Sequence, residues 1–302
     1  MKKLSALLLS LLLALFALSS AGESRFDAVF DPSQDPGRLT VRFIAMDTPD
    51  GSKAGDCAVI TSPEGLVMVI DAGSPAAAPS VLRALDAMGL ERIDLLVASH
   101  PHIDHVGGMP ALVDRYAVGE AFVSHVDYDS PYTRALLDAL SRKGIPLTRL
   151  ARGDQLKLGE EVVIDILWPG AEIKYYDNYP EGATQFINNL SLVLRVSYRG
   201  TVLLFPGDLY SLGEQAVLET GDNLKADVLK VNHHGDKTSS SKAWRLAVAP
   251  QAAVITHNAL ADLRVPRKFE EEGALVLHTF IKGSIRIASE GGGVLDILTE
   301  RD

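Results

Sequence analysis

One cysteine, Cys57, is all the sequence contains, so no intramolecular disulfide can brace the chain. Stability has to come from a packed core, and a lone thiol is more often a small buried hydrophobe than a nucleophile, which is how Cys57 is read. Basic runs are missing too: Lys and Arg number 29 against 39 Asp and Glu, a formal charge of −10 at pH 7. That excludes broad electrostatic attraction to nucleic acid, which needs clustered Lys and Arg, and leaves room only for a local basic groove. After residue 21 no stretch is apolar enough to span a bilayer, and no repeat of fixed period or low-complexity tract is present.

What is there begins with Met1-Lys2-Lys3, an apolar run from Leu4 to Leu18, and the small residues Ser19-Ser20-Ala21. A charged start, an apolar stretch and a small-residue junction form a secretory signal, so residues 1–21 are expected to be cleaved and the mature chain to be periplasmic or extracellular. The competing reading is a membrane anchor, against which the run falls short of the roughly 20 residues needed to span a bilayer. No stable anchor is expected after cleavage.

Residues 22–38 are polar, carry Pro32 and Pro36, and read as a short lead-in to a domain over 39–302. Within that domain, β-branched runs mark strands over 40–45, 57–61, 66–70, 94–99, 121–124, 162–167, 191–198, 202–205, 228–232, 253–256 and 284–288. Helical patterns cover 78–88, 110–115, 132–143, 212–218 and 242–247. Three strands precede the first helix and a second β-rich half begins near Ser191, so the pattern is α/β, two sheets with helices outside. The polar, aromatic stretch 170–186, with Tyr175, Tyr176 and Tyr179, is expected to be a loop over one face.

Chemistry concentrates where the strand over 94–99 ends: Ser99-His100-Pro101-His102-Ile103-Asp104-His105-Val106-Gly107-Gly108. Four potential metal ligands fall within six positions, and imidazole mixed with carboxylate suits zinc and related divalent ions. A lone histidine is usually structural, whereas three with an aspartate at this spacing have few other uses.

This His-Pro-His-Ile-Asp-His run resembles the H-x-H-x-D-H motif of the metallo-β-lactamase superfamily. The resemblance implies an αββα sandwich of two mixed sheets with outer helices, binding two divalent ions, zinc first and manganese second. By that likeness His100 and His102 would hold one ion, and Asp104 and His105 the other. Asp71, after the strand over 66–70, resembles the superfamily's supporting aspartate, and Asp208, in Phe205-Pro206-Gly207-Asp208, its metal-bridging one. Asn188-Asn189-Leu190-Ser191 and Leu229-Lys230-Val231-Asn232-His233-His234-Gly235 narrow the likeness to the hydrolase domain of ComEC-type competence proteins and related phosphorylcholine esterases. It implies His234 as a ligand, Asn188 as a polar site residue, and Asp104, His233 and Lys230 as catalytic groups, Asp104 orienting water and the other two assisting an anionic transition state.

The chain departs from that pattern twice. Only His125 lies between the first cluster and Asp208, where many superfamily members place a histidine ligand, and residues 46–56 replace a compact Gly-Gln-Gly-Asp turn. His125 and His257, the latter after the strand over 253–256, are secondary ligand candidates, and His278 is read as structural. The implied function is an exported metal-dependent hydrolase, a phosphodiesterase acting on nucleic acid or a small head group, with single-stranded nucleic acid kept as a partner class and no protein partner inferred. A lactonase or β-lactam-type hydrolase is the alternative enzyme class, and a non-catalytic binding protein on the same fold is the third reading.

Overall fold

Runs such as Val67-Met68-Val69-Ile70 show no alternation because both faces of the strand are covered; all four residues are buried. The computed structural model describes residues 25–172, 180, 182–260 and 262–302. The expected signal segment and Tyr175, Tyr176 and Tyr179 lie outside the described residues.

In chain order the strands are β1 (Leu39–Phe43), β2 (Ala58–Thr61), β3 (Val67–Ile70), β4 (Arg92–Val97), β5 (Ala117–Ser124), β6 (Leu147–Leu150), β7 (Gln155–Leu158) and β8 (Val162–Trp168). They continue with β9 (Val193–Tyr198), β10 (Thr201–Phe205), β11 (Val228–Lys230), β12 (Ala252–Ile255), β13 (Leu275–His278), β14 (Ile285–Ser289) and β15 (Asp296–Thr299). One sheet runs β15-β14-β1-β2-β3-β4-β5-β6, the other β13-β12-β11-β10-β9-β8-β7. Both are mixed: β3 to β6 and β10 to β13 are parallel, and the remaining pairs antiparallel.

Between the sheets lies one apolar layer, including Val41, Phe43, Ile60, Met68, Leu194, Leu203 and Phe205. Helices α1 (Arg25–Phe30), α2 (Ala78–Ala87), α3 (Ile103–Val106), α4 (Met109–Arg115) and α5 (Pro131–Lys143) cover the first sheet through Phe30, Val81, Leu85, Leu112 and Leu140. On the second sheet, α6 (Thr184–Asn188), α7 (Ser211–Glu219), α8 (Lys242–Val248) and α9 (Arg264–Glu271) bury Phe186, Val217, Trp244 and Phe269. A last short helix, α10 (Thr279–Lys282), follows β13. The order helix, sheet, sheet, helix is the expected αββα sandwich.

Local signals explain why these segments fold as they do. In α5, Ser130 caps the start by accepting from the Thr133 N–H, Pro131 sits in the first turn, and Gly144 in the left-handed region closes the end. Its buried Leu136, Ala139 and Leu140 follow the helical period. Strands β6, β7, β13 and β15 were not anticipated, because all four stand at sheet edges and carry partly exposed, mixed-polarity residues. The stretch expected as a loop over 170–186 gives way at its end to α6, whose Phe186 is in the core.

Residues ahead of β1 pack on the domain. Val29 and Phe30 are fully buried, and Arg42 of β1 reaches back to them through Nε to the Val29 carbonyl at 2.7 Å. Its Nη1 and Nη2 donate to Asp35 at 2.7 and 2.9 Å, and both side chains are buried. Removing one partner of a buried pair leaves an uncompensated charge, so Arg42→Met should cost about 3–5 kcal/mol in urea unfolding. Arg42→Met with Asp35→Leu should recover part of that loss; equal losses would make packing, not charge, the cause.

Candidate metal centre

Parallel strands deliver the chemistry at their carboxyl ends, where open α/β sheets commonly place their sites. Asp71 directly follows β3, His100 lies three residues beyond β4, Asp208 three beyond β10, and His233 and His234 follow β11. His102 precedes α3, which carries Asp104 and His105. The Leu192 N–H donates to the Ser99 carbonyl at 2.8 Å, tying the two sheets together next to His100. Asp71, His233 and His234 all have positive φ (59°, 46° and 53°), a conformation that costs non-glycine residues roughly 1–3 kcal/mol each and gathers at functional sites.

The histidine Nε2 atoms converge on Asp208. Its Oδ2 is 3.1 Å from His234, 3.3 Å from His105, 3.8 Å from His233 and 3.9 Å from His100. Asp104 Oδ2 lies 3.5 Å from His234 Nε2 and 3.9 Å from His105 Nε2. Two atoms bound tetrahedrally at about 2.1 Å to one ion stand about 3.4 Å apart, so these spacings fit ligands of shared cations. The Nε2 atoms of His100, His102, His105 and His234 are buried without a hydrogen-bond partner, a lack that a bound metal would make good.

The opposite ring nitrogens are held. His105 Nδ1 lies 2.8 Å from Asp71 Oδ2, while Asp71 also accepts from the Ser99 N–H at 2.7 Å and its hydroxyl at 2.6 Å. His234 Nδ1 is 2.9 Å from the Thr256 carbonyl and 2.9 Å from Asp56 Oδ1. His100 Nδ1 is 3.1 Å from Ser99 Oγ. Such outer partners fix the tautomer and aim Nε2 inward.

Electrostatics reinforce the arrangement. Burial pushes Asp208 up, but His234, His105 and Lys230 outweigh it and hold the carboxyl well below its usual range. Asp104 is likewise held well below by His105, His234 and Lys53 against burial. Burial opposes charge on His234, yet Asp208 and Asp56 lift it to about 10, and Asp208, Asp71 and Asp104 lift His105 well above normal. Burial and neighbouring imidazoles lower His100 and His102. A divalent ion therefore meets concentrated negative charge and must displace protons from His105 and His234, so its affinity rises with pH.

Comparison with known proteins agrees with this geometry. The family model described as "Metallo-beta-lactamase superfamily" matches residues 51–178. In structure, the chain aligns with the metallo-beta-lactamase fold protein YhfI from Bacillus subtilis at a TM-score of 0.56, covering 83% of this chain and 99% of that one at 12% identity. The chain has the metallo-beta-lactamase fold.

In sequence the chain is similar to ComE operon protein 3 of Bacillus subtilis, 31% identical over 172 residues, and to competence protein ComA of Neisseria gonorrhoeae, 30% identical over 234. These matches cover 57% and 75% of this chain but only 21% and 30% of the relatives, so the chain spans a minor part of their length. The metallo-beta-lactamase fold and the clustered aspartate and histidine side chains make this a candidate metal centre.

Of the residues singled out in the sequence, the fold brings His100, Asp104, His105, Asp208, His233 and His234 together, with Asp71 behind them. His102 stands at the rim, its ring edge-on to Tyr128 at 5.7 Å, and Asn188 is buried and lines the same groove. Three placements differ from expectation. Lys230 lies beneath the site, bonded to the Gly207 carbonyl at 3.0 Å, paired with Asp56 and 3.5 Å from Asp208 Oδ1; it neutralises carboxylates from behind and does not line the groove. His125 points its Nδ1 at the Leu150 carbonyl, 3.3 Å away in β6, and is not brought to the cluster. His257 approaches to a 5.8 Å ring separation from His234, but its Nδ1 accepts from the Ala259 N–H at 2.8 Å.

Asp56, Glu214 and Lys53 are the residues sequence reasoning missed. Asp56 belongs to a compact cluster with His105, Asp208 and His234, where it braces His234 and pairs with Lys230. Gly55-Asp56 matches the last two positions of the Gly-Gln-Gly-Asp turn, and that was the available signal. A side chain at Gly55 would collide with the Asp104 carbonyl. Buried Glu214 accepts from the Ser240 and Ser241 N–H groups and from Asn232 Nδ2, anchoring the loop that carries His233 and His234. Cys57 is buried and its thiol pushed well up by burial, then by Asp71 and Asp56, as its structural reading expects.

Outside the cluster, His278 accepts from the Phe280 N–H at 3.1 Å to cap α10, and burial lowers it from 6.5 to about 4. The unfolded chain takes up this proton near 6.5 and the folded chain only near 4, so the associated stability is full above 6.5 and lost as pH falls toward 4. His278→Asn keeps a capping acceptor without the titration and should lose less stability between pH 7 and pH 5 in denaturant melts. Parallel losses in both proteins would assign the acid sensitivity elsewhere.

Proposed function

We propose that the chain is an exported phosphodiesterase that hydrolyses a nucleic acid or a small phosphodiester, with single-stranded nucleic acid as its macromolecular substrate class. The observation carrying this reading is the convergence of four histidines on Asp208 at the floor of a groove of about 550 Å³. The phosphodiester is favoured by the Asn188 to Ser191 and Leu229 to Gly235 runs and by the similarity to competence proteins. Export is favoured by residues 1–21, and no helix among the described residues is long and apolar enough to cross a membrane.

Two divalent ions, zinc or manganese, held by His100, His102 and Asp208 and by Asp104, His105, His234 and Asp208, would lower the pKa of a water and offset charge developing on the attacked group. The protein's own contribution is orientation. Asp71, Asp56 and Thr256 hold the ligand rings, and Lys230 offsets the charge of Asp56 and Asp208 from below. His233, lowered by burial to about 4, is neutral at pH 7; its Nδ1 is 2.7 Å from Thr238 Oγ1 and its ring packs on Tyr210. It can therefore exchange a hydrogen bond with a leaving group without bringing a second cation against the metals.

The test is metal content together with turnover of bis-p-nitrophenyl phosphate, single-stranded DNA, p-nitrophenyl phosphorylcholine and a lactone. Cleavage of one or more phosphodiesters, stopped by chelation and restored by zinc or manganese, is the expected result. Turnover of the lactone alone would move the chain to the carbonyl-hydrolysing class.

A further inference from the structure

An acidic protein that takes an anionic substrate needs local positive charge, and the groove shows one source of it. Among the described residues lining the groove, Lys53 is the only lysine or arginine. It also lines an adjoining polar pocket of about 290 Å³ with His233, His234, Asp236 and His257, so it stands where the two spaces meet. Its ammonium is 2.8 Å from Asp104 Oδ2 and 4.0 Å from Asp208 Oδ2, while its side chain remains 40% exposed.

The backbone on both sides of Lys53 is fastened by one side chain. Asn258 Oδ1 accepts from the Ala54 N–H at 3.2 Å, and Asn258 Nδ2 donates to the Ser52 carbonyl at 2.8 Å and to Thr48 Oγ1 at 3.1 Å. The Ala54 carbonyl accepts from the Ser74 N–H at 2.8 Å. Residues 46–56, the segment that departs from the compact turn, thus form a braced arm whose outcome is one cationic side chain at the lip of the cluster. A surface lysine held only by its own charge would need no such support.

We propose that Lys53 is the anion-recognition residue of this site: carried by the 46–56 arm and positioned by Asn258, it takes an anionic oxygen of the substrate and selects a phosphodiester over a neutral ester. The proposal rests on the phosphodiesterase reading. A charge-assisted hydrogen bond to an ammonium is stronger than a neutral one and is lost on a substrate without the charge. Lys53 therefore contributes to discrimination, whereas the metal ligands serve either substrate class.

The test uses the metal-loaded full chain as wild type, Lys53→Met, Lys53→Arg and Asn258→Ala, with inorganic phosphate as the probe in titration calorimetry. Lys53→Met should weaken phosphate binding by about tenfold or more, Lys53→Arg should recover most of it, and Asn258→Ala should fall between, all with unchanged metal content. For bis-p-nitrophenyl phosphate, KM should rise more than kcat falls in Lys53→Met, while p-nitrophenyl acetate is unaffected. Phosphate affinity in Lys53→Met within about twofold of wild type, or loss of metal from that variant, overturns the assignment, as does a wild type that does not bind phosphate. A wild type that binds phosphate through Lys53 yet cleaves no phosphodiester overturns the phosphodiesterase reading and leaves the anion site standing.

Discussion

Asp208→Ala should abolish phosphodiester hydrolysis and strip metal from the protein while leaving most of the fold in place. The Asp208 backbone is fixed independently of its carboxylate: it follows β10, and its N–H donates to Ser191 Oγ at 3.2 Å. The carboxylate faces the Nε2 atoms of His100, His105, His233 and His234 through Oδ2 and Lys230 through Oδ1, so it is the one group shared by both proposed ion positions. Without it two divalent ions would repel with no anion between them, His105 and His234 would lose their main counter-charge, and Lys230 would keep only Asp56 close by. A loss of about a hundredfold or more in kcat follows, because ion positioning and water activation fail together. Metal content, thermal melting and hydrolysis are to be measured on one sample. Near-wild-type turnover with both metals retained would reduce Asp208 to a turn residue and remove the case for a two-metal mechanism.

What the sequence made legible, and what it hid, follows from how far apart the cooperating residues lie. His100 to His105 could be read because all the ligands sit within one strand-to-helix turn, and Asp208 and His234 because each ends an apolar strand. Asp71 was visible for the same reason. Asp56 was not, since its partners are Lys230, His234 and Thr256, far along the chain, and a glycine-aspartate pair by itself looks like any turn. Lys53 and Asn258 are 205 positions apart in sequence and come together only because the segment joining β1 to β2 lies beside the loop after β12, where Asn258 bonds the backbone of Ser52 and Ala54. Lys230 misled for the opposite reason: a lysine beside two histidines suggests an exposed catalytic cation, but it closes a parallel strand whose three residues are all buried. The same limit applies to the fold, where central strands announced themselves by β-branched runs and edge strands such as β6 and β7 did not.

His105→Ala should be more damaging than His102→Ala, and the comparison separates the centre of the cluster from its rim. His105 is fully buried, with Nδ1 on Asp71 at 2.8 Å and Nε2 on Asp208 at 3.3 Å, so it links the supporting aspartate to the shared one. Replacing it leaves buried Asp71 without its imidazole and Asp208 with one fewer, and opens a cavity between them. The expected result is loss of the ion held with Asp104 and His234, at least a hundredfold loss of turnover, and destabilisation of about 3–5 kcal/mol in the metal-free protein, the cost of breaking a buried charged pair. His102, only partly buried beside Tyr128, supplies a ligand without bridging two carboxylates. His102→Ala should therefore lower metal content and turnover with little change in metal-free stability. Metal analysis of the purified variants, with urea melts run in chelator, reads both effects. Full metal occupancy in both variants would overturn the ligand assignment, and equal metal-free stability would show that the Asp71–His105–Asp208 chain carries no structural load.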